Sequence, residues 1–312
     1  MTPSRAQHRS TWSCLLLVGS LFACAGIDRT ADHEPLTASV RIPFTLTAAD
    51  NLSIAATLNG RDAVQLMFHT GVDSVSLTKD AIARLSQFRA DGSIPVGSWG
   101  GTTQARHSTG NTLQIGDATF GDVAITECDQ SGAGTDGKFG PSLFAGKVVE
   151  IDFDRRELVV HAALPTIGPR FERLDLTCRH GAMFVTGEVV VAGRRHATEF
   201  LLHTGYGGTA LLDRQFVQAS DLAAVLVTIR ESELQDSYGH VVKTRTVCLP
   251  GLHLGAIHFT DVPAGIFDGA LGAQRTSILG TGLLKRCHLV FDPDNGHLYV
   301  APSQLASSPF AG

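Results

Sequence analysis

Two short motifs place a histidine at the end of an apolar run and at the start of a tight turn. His69 follows "LMF" and opens "HTG" (69–71), and His203 follows "FLL" and opens a second "HTG" (203–205), 134 residues later. Histidine titrates close to neutral pH, so it can serve as a general base or as a metal ligand. The repetition predicts two equivalent strand-and-turn units, each with a histidine at its tip.

The similarity between the two halves continues beyond the histidines. The segment "KFGPSLF" (138–144) corresponds to "ILGTGLL" (278–284), and "VVEIDFDRRELVV" (148–160) corresponds to "HLVFDPDNGHLYV" (288–300). Each half reads as a hairpin, the HTG turn, a short helix (78–85 or 213–219), a glycine-containing segment (95–104 or 236–243), two strands, an apolar-apolar-Gly element and a closing hairpin. A duplicated domain is therefore expected.

The composition supports an all-β protein with two cores. The chain has 312 residues, 43% hydrophobic, and short Val, Ile, Leu and Thr runs are separated by glycine and turn residues. The predicted lobes span 41–165 and 166–302, followed by a tail at 303–312. The net charge is −5 and no Lys/Arg run occurs, which argues against a nucleic-acid partner.

The N-terminus has the features of a lipoprotein-type signal peptide at 1–24. Two arginines precede the apolar stretch "CLLLVGSLFA" (14–23), which is too short to span a bilayer. The stretch ends at Cys24, the residue that carries lipid in bacterial lipoproteins, and a polar tether follows at 25–40. The expected location is the bacterial cell envelope, periplasm-facing or extracellular, with a membrane contact through the lipid. The alternative is an ordinary secretory signal.

The remaining cysteines allow two interpretations. Four of them stay in the mature chain, an even number in an oxidising compartment: Cys128, Cys178, Cys248 and Cys287. They can form disulfides in any of three pairings, or they can remain free thiols.

The order of these motifs resembles the aspartic peptidase clan, which includes two-lobed pepsins and single-lobed retropepsins. The resemblance covers nearly all of the mature chain, and bacterial members share its Gly-x-x-Leu turn before an "IDF" strand. It implies an all-β, two-lobed, pepsin/retropepsin-like fold. It also implies that the residues after each histidine brace the two turns: Thr70, Gly71, Thr204, Gly205, Gly140 and Gly280.

The departure from the family is symmetric, because His69 and His203 stand where the clan has its two catalytic aspartates. An aspartate pair shares one proton, so that one carboxyl acts as acid and the other as base. Neutral imidazole offers one donor and one acceptor, and two protonated rings repel each other. The substitution therefore predicts neutral rings near pH 7 and makes standard aspartic peptidase activity doubtful.

Three functional hypotheses remain open. The leading hypothesis is an inactive or non-conventional peptidase homologue that binds a peptide or protein in the interlobe cleft, under flaps carrying Trp99 and Tyr238. The second is a Zn or Cu site made by His69 and His203, with His107 and His240 as further ligands. The third is an active hydrolase with an altered mechanism, using a histidine base or a metal-bound water.

Overall fold

The computed structural model describes residues 39–98, 101–267 and 276–310. The predicted signal segment with Cys24, most of the tether, and Trp99 lie outside the described residues. In the part of the chain that is described, no helix combines the length and the apolar character needed to cross a membrane.

The N-terminal lobe is built from short strands with a few short helices. The strands are β1 (Val40–Pro43), β2 (Thr45–Leu46), β3 (Leu52–Leu58), β4 (Asp62–Phe68), β5 (Val75–Thr78), β6 (Gly92–Ser98), β7 (Gly101–Ile115), β8 (Ala118–Cys128), β9 (Gly137–Phe139), β10 (Val148–Asp152) and β11 (Glu157–His161). Helix α1 spans Lys79–Arg84, and a 3-10 helix spans Pro141–Phe144.

The C-terminal lobe repeats this sequence of elements. Its strands are β12 (Glu172–Arg179), β13 (Ala182–Val191), β14 (Arg194–His203), β15 (Ala210–Leu212), β16 (Thr228–Gln235), β17 (Val241–Leu254), β18 (Ile257–Phe267), β19 (Ser277–Gly280), β20 (Cys287–Asp292) and β21 (His297–Pro302). The helices are α2 (Arg214–Ala219), a 3-10 helix (Leu222–Ala224) and α3 (Thr281–Leu284).

The sheet connectivity confirms the all-β, two-lobed prediction. In the N-terminal lobe the strand order is β3-β4-β9-β5-β8-β7-β6, closed by a pairing of β3 with β7. The C-terminal lobe has the order β13-β14-β19-β15-β18-β17-β16, closed by a pairing of β13 with β17. In each lobe the HTG strand pairs in parallel with the strand of the apolar-apolar-Gly element. The duplication read from the sequence is therefore present strand by strand.

The closing hairpins of the two halves join in one sheet between the lobes. Strand β10 pairs antiparallel with β20, with Val149 opposite Phe291, and β1, β11, β21 and β12 extend this sheet on both sides. The lobes consequently share backbone hydrogen bonds, and they also share one continuous hydrophobic core.

Local sequence explains how the chain turns between these strands. Asn59 and Gly60 are the central residues of the turn from Leu58 to Arg61 between β3 and β4, and both have positive φ (51° and 67°), as a type I′ turn requires. Helix α1 begins after Thr78, whose hydroxyl accepts a hydrogen bond from the amide of Ala81 at 3.1 Å. Asp152 caps the β10–β11 turn by accepting from two backbone amides. These are the turn and capping roles that the residue types favour.

None of the three disulfide pairings forms. All four cysteines are free thiols, with Cys128 and Cys287 buried and Cys178 and Cys248 exposed. The physical reason is strand register, because each cysteine faces a different residue across the sheet: Thr78, Met183, Pro263 and Pro302. The structure supports the free-thiol interpretation.

A half-buried carboxylate connects three strands of the interlobe sheet. Glu150 on β10 lies 2.7 Å from the Nε2 atoms of both His161 on β11 and His288 on β20. The guanidinium of Arg170 donates to Nδ1 of His288 at 2.8 Å, so Nε2 of that ring carries the proton that Glu150 accepts. These hydrogen bonds, with that from His288 the strongest, lower the pKa of Glu150 to about 2.

We expect Glu150→Gln to lower the free energy of unfolding at pH 7 by roughly 1–3 kcal/mol, because an amide cannot accept from both imidazoles. A carboxyl with a depressed pKa stabilises the fold above its unfolded pKa, and that contribution is lost as the pH falls towards about 2. Urea denaturation should therefore show a difference between variant and wild type that shrinks below about pH 4.

The matched control is Glu157→Gln. Glu157 pairs with an exposed arginine, Arg41, at the surface of the same sheet. The free energy of unfolding of this variant should differ from that of the wild type by less than about 1 kcal/mol. Equal losses for the two variants would contradict the special role of Glu150.

Candidate functional site

Two buried threonines join the HTG turns at the lobe interface. The hydroxyl of Thr70 donates to the carbonyl of Leu202 at 2.7 Å, and the hydroxyl of Thr204 donates to the carbonyl of Phe68 at 2.7 Å. Each hydroxyl also accepts from the other threonine's backbone amide at 3.0 Å. Both side chains are fully buried. The four hydrogen bonds fix the separation and orientation of the two turns.

The histidine rings lie next to each other across this junction, tilted and not stacked. The ring centroids of His69 and His203 are 4.5 Å apart, and the ring planes are inclined by 60°. The amide of Gly71 donates to Nδ1 of His69 at 3.1 Å, so a neutral His69 carries its proton on Nε2. Nδ1 of His203 is buried and has no hydrogen-bond partner among the described residues. The two rings therefore differ in their hydrogen bonding despite their equivalent positions.

The glycines of the two turns are required by the opposite imidazoles. A Cβ atom on Gly71 would lie 2.7 Å from Cδ2 of His203, and a Cβ atom on Gly205 would overlap the ring of His69. Each ring thus packs over the backbone of the other turn. Only glycine leaves this space free.

Each turn is braced from below by the apolar-apolar-Gly element. The backbone amide of His69 donates to the carbonyl of Phe139 at 2.9 Å, and a Cβ on Gly140 would overlap the carbonyl of Val72. In the other lobe, a Cβ on Gly280 would overlap the Tyr206–Gly208 backbone. The bracing positions assigned to Gly140 and Gly280 thus lie directly against the turns.

Burial and nearby positive charge keep both imidazoles neutral. Desolvation is the main cause that lowers the pKa of His69 well below its ordinary value, and the charges of His203 and Lys138 lower it further. Desolvation lowers the pKa of His203 to about 4, and the Lys138 charge acts in the same direction. At pH 7 the pair therefore lacks the negative charge that an aspartate pair supplies.

The histidines form part of the floor of a cleft of about 1010 Å³. The β6–β7 hairpin contributes Val96 and Gly97 to its wall, and the β16–β17 hairpin contributes Leu234 and the turn at 235–238. Tyr238 is half-buried in this wall, and burial raises the pKa of its hydroxyl to about 12. Both predicted flap segments thus border the cleft, although Trp99 is not described.

His107 and His240 are not brought to the histidine pair. Neither residue lines the cleft. His107 lies on β7 opposite Gly92 and Thr126, and Nδ1 of His240 lies 2.8 Å from the Asp236 carboxylate. Strand pairing holds His107 on β7, and the hydrogen bond to Asp236 holds His240 in its turn, so the described contacts do not join these two residues to His69 and His203.

The described residues contain another group of metal-ligand types, made of Glu150, Asp152 and His288 within 4.8 Å of one another. Its atoms are already occupied by protein partners. Glu150 binds two imidazoles, Asp152 binds backbone amides and the Arg155 guanidinium, and His288 accepts from Arg170. Two guanidinium groups beside the cluster also disfavour a cation, so it fits a structural role.

Several residues at the site carry no motif and were not predicted. Asn51 donates to the carbonyl of Gly205 at 3.3 Å, and the Thr281 hydroxyl donates to the carbonyl of Thr204 at 2.9 Å. Lys138 lines the cleft although it is only 5% exposed. One signal was available for Lys138, since it occupies the position of Ile278 in the repeat and places a charge in an otherwise apolar strand.

The chain is similar to known aspartic proteinases in part of its sequence and in its fold. Residues 54–143 match a family model described as aspartyl protease, a segment that includes the first HTG turn and Gly140. The structure resembles an aspartic proteinase from Irpex lacteus with a TM-score of 0.57 and 13% identity, covering 88% of this chain and 100% of that chain. No curated protein matches the chain.

These matches support the aspartic peptidase clan. At 13% identity the structural likeness establishes the fold alone, and that fold is the two-lobed, pepsin-like one expected from the sequence. The chain is thus peptidase-like in fold, while its histidine pair sets it apart from the carboxylate chemistry that gives the clan its name.

We expect Thr70→Val to lower the free energy of unfolding by roughly 2–4 kcal/mol, because it leaves the Leu202 carbonyl and the Thr204 amide buried without partners. Thr70→Ser keeps the hydroxyl and should cost only about 1 kcal/mol for the lost methyl group. Chemical denaturation of both variants checks this. If both variants lose the same free energy of unfolding, packing and not hydrogen bonding holds the turns together.

The histidine pair should make the fold less stable in acid. Because the folded pKa values lie below the unfolded value of about 6.5, the unfolded chain binds more protons as the pH falls from 6.5 towards 4. The free energy of unfolding should fall across this window by about 1.4 kcal/mol for each pKa unit of difference. Denaturation midpoints measured between pH 4 and 7 test this.

The variant for this test is the double change His69→Asn with His203→Asn, which should flatten the pH dependence. The control is His180→Asn at an exposed position with φ of 50°, which asparagine tolerates. An unchanged slope in the double variant would contradict neutral imidazoles in the fold.

Proposed function

We propose that this protein is a peptidase-like binding protein of the bacterial cell envelope, held to the membrane through lipid on Cys24. Its interlobe cleft binds an extended peptide or protein segment and does not hydrolyse it by the carboxylate-pair mechanism. The envelope location rests on the signal-like N-terminus, with its arginines, short apolar stretch and terminal cysteine.

The observation that carries the proposal is the 4.5 Å imidazole pair at the junction of the two turns. Hydrolysis by an acid-base pair needs one group that takes a proton from water while the other gives one. Two neutral rings with lowered pKa values are weak bases, and neither carries the negative charge that polarises the water. The threonine and glycine framework of the turns is nevertheless complete.

The cleft has the form that an extended peptide needs. Strands β6 and β16 each lie at the end of the strand order of their lobe, and residues of both border the cleft. A terminal strand leaves backbone amides and carbonyls on one side for a ligand strand. Recognition by strand addition uses these backbone groups and requires no catalytic acid.

The metal hypothesis receives less support from the same geometry. Zinc sites use three or four ligands, and the described residues contain no histidine, cysteine or carboxylate group that completes a set with His69 and His203. Nδ1 of His69 is engaged by the Gly71 amide. The charge of Lys138 acts on both rings and opposes the approach of a cation.

A bulky residue over the cleft should block peptide binding. Gly97 on β6 borders the cleft and has no atom within 4 Å of a Cβ position, so Gly97→Phe should fold normally and weaken peptide affinity by about tenfold or more. Gly92→Phe is the matched control, because Gly92 lies on the same strand, has the same free space and does not line the cleft.

The measurement is equilibrium binding of peptide pools, with mass spectrometry of the pools after incubation between pH 4 and 9. Intact peptides and weaker binding by Gly97→Phe alone support the proposal. Equal binding by both variants contradicts the cleft as the binding site. Cleavage by the wild type that disappears in the His69→Asn, His203→Asn variant would establish a hydrolase with altered chemistry instead.

A further inference from the structure

A buried lysine forms one wall of the cleft beside the histidine pair. Lys138 lies on β9, opposite Met67 of β4 and Ser76 of β5. It is 5% exposed and lines the cleft together with both of these residues. Its charge is close enough to lower the pKa of both His69 and His203. An ammonium group thus sits at the inner end of the binding site.

This ammonium group has only a weak protein partner. Its Nζ donates to the hydroxyl of Ser237 in the β16–β17 turn of the other lobe. The carboxylate whose charge acts on it is that of Asp236, which is engaged by its own turn. Burial lowers the pKa of Lys138, and the nearby Cys128 and Asp236 offset that effect only in part. A buried charge is normally paired, so a partner that completes this site is expected to come with the ligand.

Asp236 is directed towards its own turn. One carboxylate oxygen accepts from the backbone amides of Tyr238 and His240 at 2.9 Å, and the other lies 2.8 Å from Nδ1 of His240. Its backbone carbonyl accepts from the side chain of Gln130. These contacts hold the turn over Lys138 and keep the hydroxyl of Ser237 at the ammonium group.

A second observation indicates the polarity of the missing ligand. The hydroxyl of Ser76 lines the same wall and is buried; it interacts with the Cys128 thiol, a weak hydrogen-bond partner, and no oxygen or nitrogen atom of the described residues bonds it. Next to a lysine, a hydroxyl donor without an oxygen or nitrogen acceptor favours an oxygen anion. A carboxylate can accept from both groups and can displace the neutral Ser237 hydroxyl, since charge-assisted hydrogen bonds are the stronger ones.

The buried ammonium group occurs in the N-terminal lobe and has no counterpart at the equivalent position of the C-terminal lobe. The equivalent of Lys138 in the repeat is Ile278, which also lines the cleft and is buried. The cleft therefore has one charged and one apolar wall at symmetric positions.

We propose that Lys138 and Ser76 form a carboxylate subsite in the cleft, so that the bound peptide places an acidic side chain or a free C-terminal carboxylate there. The inference rests on the proposed peptide binding and adds its ligand class.

The test uses three degenerate octapeptide pools of apolar residues. The first has a central Glu and capped termini, the second has a central Gln and capped termini, and the third has the central Gln with a free C-terminal carboxylate. Wild-type protein should bind the first or third pool at least about tenfold more tightly than the second, because a charge-assisted hydrogen bond is gained. Preference for the first pool identifies a side-chain carboxylate, and preference for the third identifies a chain terminus.

Variants at Lys138 and at Ser237 test whether the preference for carboxylate-containing peptides arises at the ammonium group. Lys138→Met should abolish it. Ser237→Asp keeps Lys138 but supplies an internal carboxylate at its ammonium group, so it should abolish the preference as well. Ser237→Asn is the matched neutral control and should retain it. The Ser237 pair decides the question even if Lys138→Met fails to fold.

The outcomes separate this inference from the proposed function. Equal binding of all three pools by wild-type protein overturns the carboxylate subsite and leaves peptide binding intact. A preference that survives in Ser237→Asp also overturns it. Failure of every pool to bind overturns the proposed peptide binding and, with it, the subsite.

Discussion

The reciprocal hydrogen bonds of Thr70 and Thr204 are the constraint on which the rest of the site depends. Each hydroxyl serves as both donor and acceptor inside a fully buried junction, where an unmet hydrogen bond is costly. They bring the two turns so close that each imidazole packs over the glycine of the other turn, Gly71 or Gly205. The four hydrogen bonds themselves do not involve the side chain at the first position of either turn. The scaffold can therefore persist while residues 69 and 203 differ from those of the clan.

Replacing carboxylates by imidazoles changes the electrostatic character of the cleft. An aspartate pair holds a net negative charge and a shared proton. Here the rings are neutral at pH 7 through burial, and the ammonium group of Lys138 in the cleft wall lowers the pKa of both further. The pair thus lacks the negative charge that polarises water in the clan. The proposed peptide binding through strand edges is compatible with this difference because it would rely on backbone groups.

The duplication makes the two lobes similar, and the residues that differ between them determine how the two sides of the cleft differ chemically. The strand order, the parallel pairings and the threonine junction are equivalent in both lobes. The histidines occupy equivalent positions, yet only Nδ1 of His69 receives a backbone amide. Lys138 and Ile278 line opposite walls with opposite polarity. A ligand in this cleft consequently meets different chemistry on its two sides.

Much of the fold was predictable because local sequence patterns determine its strands and turns. The apolar strand before each HTG, the Asn59-Gly60 turn and the repeated apolar-apolar-Gly element follow from side-chain period and turn chemistry. The duplication then implied two equivalent lobes and a paired histidine site. The lipid-anchored N-terminus remains a prediction from sequence, since residues 1–38 are not described.

Tertiary structure alone decided which distant groups meet. Sequence left the cysteine pairing open and offered His107 and His240 as metal ligands, but strand register separates the cysteines, and neither histidine lines the cleft. It also brings the Ser237 turn of one lobe onto Lys138 of the other, a contact across 99 residues. The sequence by itself determined the element types, the repeat and the residues at the turns. Only packing between the lobes determined how deeply His69, His203 and Lys138 are buried, whether the imidazoles are charged at pH 7, and which groups they contact. These properties depend on contacts between distant segments, which no local pattern encodes.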